Sequence, residues 1–186
     1  MVLDKDTQLQ AIACFGDREG PLFQDQLTVR NDVEAISLLT SPHPSYVYDG
    51  AVTLVDGFQG DDNFKSGRWL GYCDDNLVAL LTLRETREVS RLFYRTNVQT
   101  PDWIFDVKAL KLELSEDGET FTTVIDETYP SMTRTADEIQ TPHEVRFPAQ
   151  QAKYARVTIS PETVIPDWHQ GRGQRGFVFV DEIVID

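Results

Sequence analysis

The chain has 186 residues, of which 40% are hydrophobic, and a formal net charge of −14 at pH 7. This length suits one domain that buries a hydrophobic core without needing metals or disulfides. The negative charge argues against nucleic acid and anionic membrane surfaces as partners, because both are polyanions. It is compatible with a neutral partner and with bound cations.

The two cysteines, Cys14 and Cys73, lie far apart in the sequence, and either free thiols or one bridge is compatible with them. The sequence holds no run of 18 apolar residues, so we expect no membrane insertion. Residues 1–6 do not form a cationic and then apolar leader. An exported protein would therefore have its signal outside this chain.

The N-terminal part of the chain has a weaker pattern than the rest. Short strands are predicted at residues 11–15 and 26–29. We interpret residues 1–35 as an N-terminal extension packed on a domain formed by residues 36–186. The alternative is that the extension is the tail of a preceding domain.

An acidic loop follows at residues 55–64, with the sequence VDGFQGDDNF. It begins with an Asp-Gly turn at Asp56 and continues with Asp61, Asp62 and Asn63. Such a loop can direct carboxylate and main-chain oxygens at one point, as Ca²⁺ requires, although the spacing is not that of an EF-hand. A solvated acidic turn is the alternative interpretation. A second acidic pair, at residues 181–182, lies in the last predicted strand.

Short runs of alternating apolar and polar residues predict strands along the rest of the chain. These runs are residues 77–83, 89–96, 109–114, 121–125, 154–159 and 177–185. In the run 109–114, Leu110, Leu112 and Leu114 share one face. The run 177–185 is nearly continuous and apolar, as in a central strand covered on both sides. An Asp-Gly turn at residues 115–119 joins two of the runs. No window keeps helical spacing over three turns, so we predict an all-β sandwich or jelly roll.

The sequence lacks the motifs of common enzymes. His43 and His143 each follow a proline, and neither adjoins a Ser or Cys in a nucleophile motif. A Gly-x-Gly-x-x-Gly pattern at residues 171–176 precedes a predicted strand instead of a helix, which argues against a nucleotide-binding loop. We therefore predict that the chain is not an enzyme.

Several segments, in order, resemble one known family. They are TLVDG at 53–57, GDDNF at 60–64, GRWLGY at 67–72, WIF at 103–105, SEDGETF at 115–121, KYARV at 153–157, PDWH at 166–169 and FVDEI at 179–183. Residues 36–186 are similar to the discoidin-like or F5/8 type C domain. Its sugar-binding members are the family 32 carbohydrate-binding modules, including those attached to bacterial β-hexosaminidases. The resemblance implies a discoidin-like jelly-roll β-sandwich of about eight antiparallel strands.

The resemblance also implies a structural Ca²⁺ site. In the family, the ion is held by the Asp of the Asp-Gly turn, by nearby oxygen ligands and by a Glu close to the C-terminus. Carried over to this chain, the ligands become Asp56, Asp61, Asn63 and Glu182, with Asp62 as an alternative to its two neighbours. An ion there would join the acidic loop to the last strand and stabilise the folded chain.

Sugar recognition usually needs an aromatic ring for the apolar face of a pyranose and polar groups for its hydroxyls. A loop punctuated by Gly and Pro offers Trp168, His169 and Arg172, and Tyr72 is a further candidate. A packing role is the alternative for Trp168 and His169. The other two tryptophans lie in patterned, apolar surroundings and are predicted to pack inside.

The resemblance thus implies a non-catalytic, calcium-stabilised carbohydrate-binding module of a bacterial glycan-degrading system, located outside the cytoplasm. Its expected partners are a glycan or a glycosidase domain, and the isolated module is expected to be a monomer. The alternative is a structural module that positions a neighbouring glycosidase domain without binding free sugar. The sugar itself is not specified by the sequence.

Overall fold

The computed structural model describes residues 7–27 and 33–186 and is built almost entirely from strands. The strands are β1 (Thr7–Phe15), β2 (Arg18–Leu27), β3 (Val33–Leu38), β4 (Leu70–Tyr72), β5 (Leu77–Gln99), β6 (Ala109–Ser115), β7 (Thr122–Thr128), β8 (Asp137–Ser160) and β9 (Val178–Ile185). Short 3₁₀ helices occupy Pro44–Tyr46, Gly50–Leu54 and Thr100–Asp102. Within the described ranges, no helix is long and apolar enough to span a bilayer. The prediction of an all-β chain is confirmed.

Two long strands, β5 and β8, hold the sandwich together because each changes partners along its length. Residues 77–82 of β5 pair with residues 154–159 of β8, and we call these parts the outer halves. Strands β3 and β6 flank this pair. Residues 91–96 of β5 pair with residues 141–146 of β8, and we call these parts the inner halves. Strand β9 lies on the other side of β5 there. Register shifts in β5 between these two regions mark where the strands bend.

The larger of two hydrophobic clusters contains residues of both halves, and the alternating pattern explains it. The side chains of Leu110, Leu112 and Leu114 are at most 3% exposed, which confirms the predicted inward face of β6. All eight residues of β9 are buried, and the strand lies between β4 and β5 in the sheet. Burial of this apolar surface is the main force that stabilises the sandwich.

Strands β1 and β2 form a separate antiparallel hairpin at the N-terminus. The predicted strand at residues 11–15 lies in β1, and residues 26–27 lie in β2, whereas residues 28–29 are outside the described ranges. Strand β3 crosses the predicted boundary between residues 35 and 36, and the division into 1–35 and 36–186 stays a prediction. Cys14 and Cys73 are both free thiols, so the bridge is not formed.

Candidate functional site

The acidic loop meets the last strand at a pair of carboxyl groups. The side chains of Asp56 and Glu182 are hydrogen-bonded to each other, and the Gly57 N–H donates to Glu182 Oε1 at 2.6 Å. Glu182 is only 3% exposed. The pKa of Glu182 is raised to about 8. Burial is the main cause, and the hydrogen bond with Asp56 is the second. Asp56 is half-buried, and two carboxyl groups this close, one of them buried, favour either a shared proton or a cation.

One buried oxygen close to Asp56 in the sequence has no hydrogen-bond partner. Thr53 Oγ1 is buried without a hydrogen-bond partner, and the 3₁₀ helix that carries it packs against β9. Among the described residues, no group of three or more His, Cys, Asp or Glu side chains is arranged to hold a metal ion. A cation beside Asp56 and Glu182 would therefore need hydroxyl or main-chain oxygens as further ligands, as Ca²⁺ accepts.

The other predicted metal ligands have different partners. Asp61 Oδ1 accepts from the Asn63 N–H at 3.1 Å, and Asn63 Oδ1 accepts from the Lys65 N–H at 3.0 Å. Asp62 Oδ1 accepts from Gln140 Nε2 at 3.1 Å. The structure thus brings together two of the four predicted ligands, Asp56 and Glu182. The metal-binding roles of Asp61 and Asn63 stay predictions.

A buried ion pair supports the acidic loop from behind. Arg95 Nε and Nη2 donate to the two carboxylate oxygens of Asp181 at 3.0 and 2.5 Å. The Gly60 N–H also donates to Asp181, at 2.5 Å, and Arg95 Nη2 donates to the Gly60 carbonyl at 3.1 Å. Burial raises the pKa of Asp181 to about 6, even though the hydrogen bonds from Arg95 act in the opposite direction. The loop backbone is therefore fixed against β5 and β9.

Gly60 can occupy this position only because it has no side chain. A Cβ atom there would lie 2.1 Å from Cε2 of Trp69, whose side chain is fully buried as predicted. We expect Gly60→Ala to lower the free energy of unfolding by about 1–3 kcal/mol, measured by urea denaturation. Gly20→Ala is the matched control, since its nearest contact is 3.2 Å away. An equal loss in the two variants would contradict the proposed clash.

Two residues that were predicted to contact a ligand are buried instead. His169 is 7% exposed, its Nε2 lies 2.7 Å from the Thr100 carbonyl, and its Nδ1 accepts from the Gly171 N–H at 3.0 Å. Tyr72 is 1% exposed, and its hydroxyl donates to the Thr40 carbonyl at 3.3 Å. Their polar atoms are used inside the protein, so the ligand-binding prediction for these two residues is wrong.

The remaining two candidates lie closer to the surface. Trp168 is half-buried, and its Nε1 donates to the Met132 carbonyl at 2.6 Å. Its ring packs edge-on against His169, with centroids 5.3 Å apart. Arg172 is exposed. Ligand binding by Trp168 and Arg172 stays a prediction, while the structure shows Trp168 holding the segment that contains Met132.

That segment forms one wall of a cleft of about 570 Å³, which we call the edge cleft. It opens between the inner half of β8 and the residues that precede β6 and follow β7. Its walls combine aromatic rings with charges of both signs, namely Tyr94, Tyr129, His143, Asp106, Lys108 and Arg146. Pockets of this size and mixed chemistry are typical of small-ligand sites.

Hydrogen bonds fix the polar groups on one wall of the edge cleft. The His143 ring stacks on Tyr94, with centroids 4.7 Å apart, and its Nε2 lies 3.0 Å from Asp106 Oδ1. The Thr96 hydroxyl donates to the same oxygen at 2.8 Å. Burial acts to raise the pKa of Asp106, but the hydrogen bonds from His143, Thr96 and the Val107 N–H outweigh it and lower that pKa. Asp106 is therefore a carboxylate at neutral pH.

The edge cleft carries further fixed groups. Lys108 Nζ donates to the Ser131 hydroxyl at 2.8 Å, and the Tyr129 hydroxyl donates to Glu127 Oε2 at 2.7 Å. Arg146, whose side chain is 70% exposed, stands at the rim. Aromatic faces and oriented donors and acceptors thus share one cleft, which is the arrangement that a sugar ring and its hydroxyls require.

Comparisons with known proteins agree with this architecture. No family model and no curated protein matches the chain. Among solved structures, it is similar to CpGH89CBM32-5 from Clostridium perfringens, in complex with GalNAc-β-1,3-galactose. The TM-score is 0.50 at 16% identity, over 81% of this chain and 93% of that one. The CBM32 of AlyQ, in complex with 4,5-unsaturated mannuronic acid, gives a TM-score of 0.53 at 13% identity, over 85% and 98%.

This chain has the fold of the family 32 carbohydrate-binding modules. A second module produced by Clostridium perfringens, CpGH89CBM32-6, supports the same conclusion, with a TM-score of 0.52 at 13% identity over 85% of this chain and 95% of that one. The predicted discoidin-like β-sandwich is confirmed, and so is the resemblance to these modules at the level of fold.

Within this discoidin-like fold, the edge cleft is the feature that the sequence did not reveal. The sequence pattern indicates no ligand-binding role for His143 or Tyr129. The residues of the cleft come from positions 94, 106–108, 127–132, 143–146 and 162, which are far apart in the chain. The Pro142-His143 dipeptide inside a strand was the available signal, because proline in a strand indicates an exposed edge.

Proposed function

We propose that this chain is a non-catalytic carbohydrate-binding module of a bacterial glycan-degrading system, and that the edge cleft binds the sugar. The edge cleft, with aromatic rings beside fixed polar groups, is the observation that carries the proposal. The fold supports it, because two similar modules are in complex with saccharides. We expect the module to act as a monomer outside the cytoplasm.

The proposal extends to the setting of the module. One similar structure joins the CBM32 of AlyQ to an alginate lyase domain, and this chain covers 32% of it, with a TM-score of 0.52 at 13% identity. A neighbouring glycosidase or lyase domain is therefore a reasonable partner. The role of the module would be to keep such a domain near its glycan, which raises the effective concentration of substrate.

The walls of the edge cleft supply the chemistry for this role. The half-buried Tyr129 offers a ring face for the apolar side of a pyranose. Lys108 and Arg146 donate hydrogen bonds, whereas Asp106 and Glu162 accept them. Because most of these groups are already held by protein partners, little conformational entropy is lost when a ligand binds.

Binding measurements on a matched pair of variants test the site. We expect Tyr129→Ala and Arg146→Ala each to weaken binding of the sugar identified on a glycan array by roughly tenfold, about 1.4 kcal/mol, in titration calorimetry. Arg172→Ala removes the same charge from the exposed Trp168 loop and should leave the affinity unchanged. If Arg172→Ala were the one variant of the three that lost binding, the sugar would bind at that loop and not in the edge cleft. A flat glycan array would favour a module that only positions a neighbouring domain.

We also propose that a structural Ca²⁺ binds beside Asp56 and Glu182. The facing carboxyl groups of the half-buried Asp56 and the buried Glu182 support this, and so does the unpartnered hydroxyl of Thr53, because Ca²⁺ takes oxygen ligands. Asp61 and Asn63 remain candidates for further ligands. When bound, the ion would neutralise the two carboxylates and join the acidic loop to β9.

A further inference from the structure

A salt bridge between Arg68 and Asp25 joins the N-terminal hairpin to the sandwich. Arg68 Nη1 donates to Asp25 Oδ2 at 2.7 Å, and the Asp25 side chain is only 6% exposed. Arg68 Nη1 also donates to the Gln59 carbonyl at 3.1 Å. An isolated two-stranded hairpin is marginally stable in water. The salt bridge therefore helps to hold β1 and β2 in place on the sandwich.

A groove of about 320 Å³ lies between the hairpin and the acidic loop, and we call it the hairpin groove. Its lining is rich in glutamine, with Gln8, Gln24, Gln59 and Gln140 beside Phe23, Arg68 and the carboxylates of Asp25 and Asp61. Each glutamine amide is a neutral group that both donates and accepts hydrogen bonds. Phe23 adds an apolar ring that is 46% exposed.

The sandwich side of the hairpin groove is rigid. Gly60 is held by Asp181 and Arg95 and lies against the Trp69 ring. Gln140 has a left-handed backbone with φ of 64°, and its Nε2 donates to Asp62 Oδ1 at 3.1 Å. A strained backbone held in place by its surroundings is typical of binding sites.

We propose that the hairpin groove is a second saccharide subsite, which binds a neutral sugar unit through the glutamine amides and the Phe23 ring. The inference rests on the proposed carbohydrate-binding function but uses a different site. Neutral amides suit hydroxyl-rich ligands, and the Arg68 guanidinium is paired with Asp25. The Asp61 carboxylate in the lining disfavours an anionic sugar.

Strand β8 connects the two sites. Gln140 lies three residues before His143 and six before Arg146, which corresponds to roughly 10–20 Å along an extended strand. An extended glycan can therefore occupy the hairpin groove and the edge cleft together. The hairpin then has a function, since it supplies one wall of the second subsite.

Nuclear magnetic resonance on the whole ¹⁵N-labelled chain tests the proposal. The probes are galactose, N-acetylgalactosamine and N-acetylglucosamine, with glucuronic acid as the charged comparison. We expect at least one neutral sugar to shift the side-chain amide signals of Gln24, Gln59 and Gln140, and glucuronic acid to shift them less. Phe23→Ala should weaken this response at least tenfold, whereas Phe15→Ala, which removes the 88% exposed ring at the hairpin tip, should not.

A second variant covers the case in which Phe23→Ala displaces the hairpin. Gln140→Gly removes an amide from the sandwich side, and glycine accepts the left-handed backbone there. In this variant too, the response of the Gln24 and Gln59 side-chain amide signals to the neutral sugar should weaken at least tenfold.

The two sites fail in distinguishable ways. Shifts confined to Tyr129 and Met132 would overturn the second subsite and leave the proposed function intact. Shifts confined to the glutamines would overturn the edge cleft as the sugar site. No shift with any of the neutral sugars would overturn both.

Discussion

Replacing Asp181 by alanine is expected to lower the free energy of unfolding by about 3–5 kcal/mol, the cost of breaking a buried ion pair. Asp181 is fully buried and accepts hydrogen bonds from Arg95 and from the Gly60 N–H. Without its carboxylate, the Arg95 guanidinium stays buried with no counter-charge. Urea denaturation monitored by tryptophan fluorescence measures the loss, which corresponds to roughly 6–20 °C in the thermal midpoint.

A double variant separates the loss of the ion pair itself from the cost of leaving Arg95 buried without a counter-charge. Because burial raises the pKa of Asp181 to about 6 in spite of Arg95, taking this carboxylate out of water is costly. Arg95→Met combined with Asp181→Leu removes both charges and should recover much of the stability. The surface control is Glu34→Ala, which breaks an exposed pair with Lys153 and should cost less than about 1 kcal/mol. A similar cost for Asp181→Ala and Glu34→Ala would contradict the argument.

The sequence predicted strands well where apolar residues alternate and poorly where proline interrupts them. The inward leucines of β6 and the fully buried β9 followed directly from the pattern. The inner half of β8 was missed, because Pro142 and Pro148 lie in a polar stretch that argues against a strand. That stretch is a strand because it pairs with β5 alone at those residues, and an edge strand tolerates proline.

The candidate sites were predictable only in part, for a related reason. The proximity of Asp56 and Glu182 was expected from the family resemblance and not from any local pattern. Tyr72 and His169 were misjudged, because their burial depends on contacts with Thr40 and Thr100 from other segments. The edge cleft and the hairpin groove each combine distant segments, and no local pattern contains that information.

Calcium is expected to raise the thermal midpoint of this chain by roughly 5–11 °C at 100 times its Kd. Binding to the folded state alone contributes about 2.7 kcal/mol at that concentration, and each kcal/mol shifts the midpoint of a domain of this size by roughly 2–4 °C. The measurement is differential scanning calorimetry with added Ca²⁺ and with a chelator. No shift on adding Ca²⁺ would contradict the proposed site.

The pKa of Glu182 gives this effect a dependence on pH. Its folded-state value of about 8 lies above the ordinary value of 4.5, so in a chelator its contribution to stability falls as pH rises from 4.5 to about 8. Calcium must displace the shared proton, so its stabilising effect should grow over the same rise in pH. Titrations at pH 7 in buffers of different ionisation enthalpy should detect the released proton.

Glu182→Gln provides the decisive comparison, because it keeps the shape of the side chain and removes one of the two facing carboxyl groups. In a chelator, the repulsion with Asp56 is gone, so this variant should unfold at the same temperature as the native chain or higher. Added Ca²⁺ should then give no further stabilisation. Asp75→Asn changes the charge equally at an exposed position and should keep the full calcium response.

Asp61→Asn and Asn63→Ala show whether those residues also bind the ion, since replacing a ligand would remove part of the stabilisation by Ca²⁺. If Glu182→Gln kept the calcium response, the ion would not bind between the acidic loop and β9.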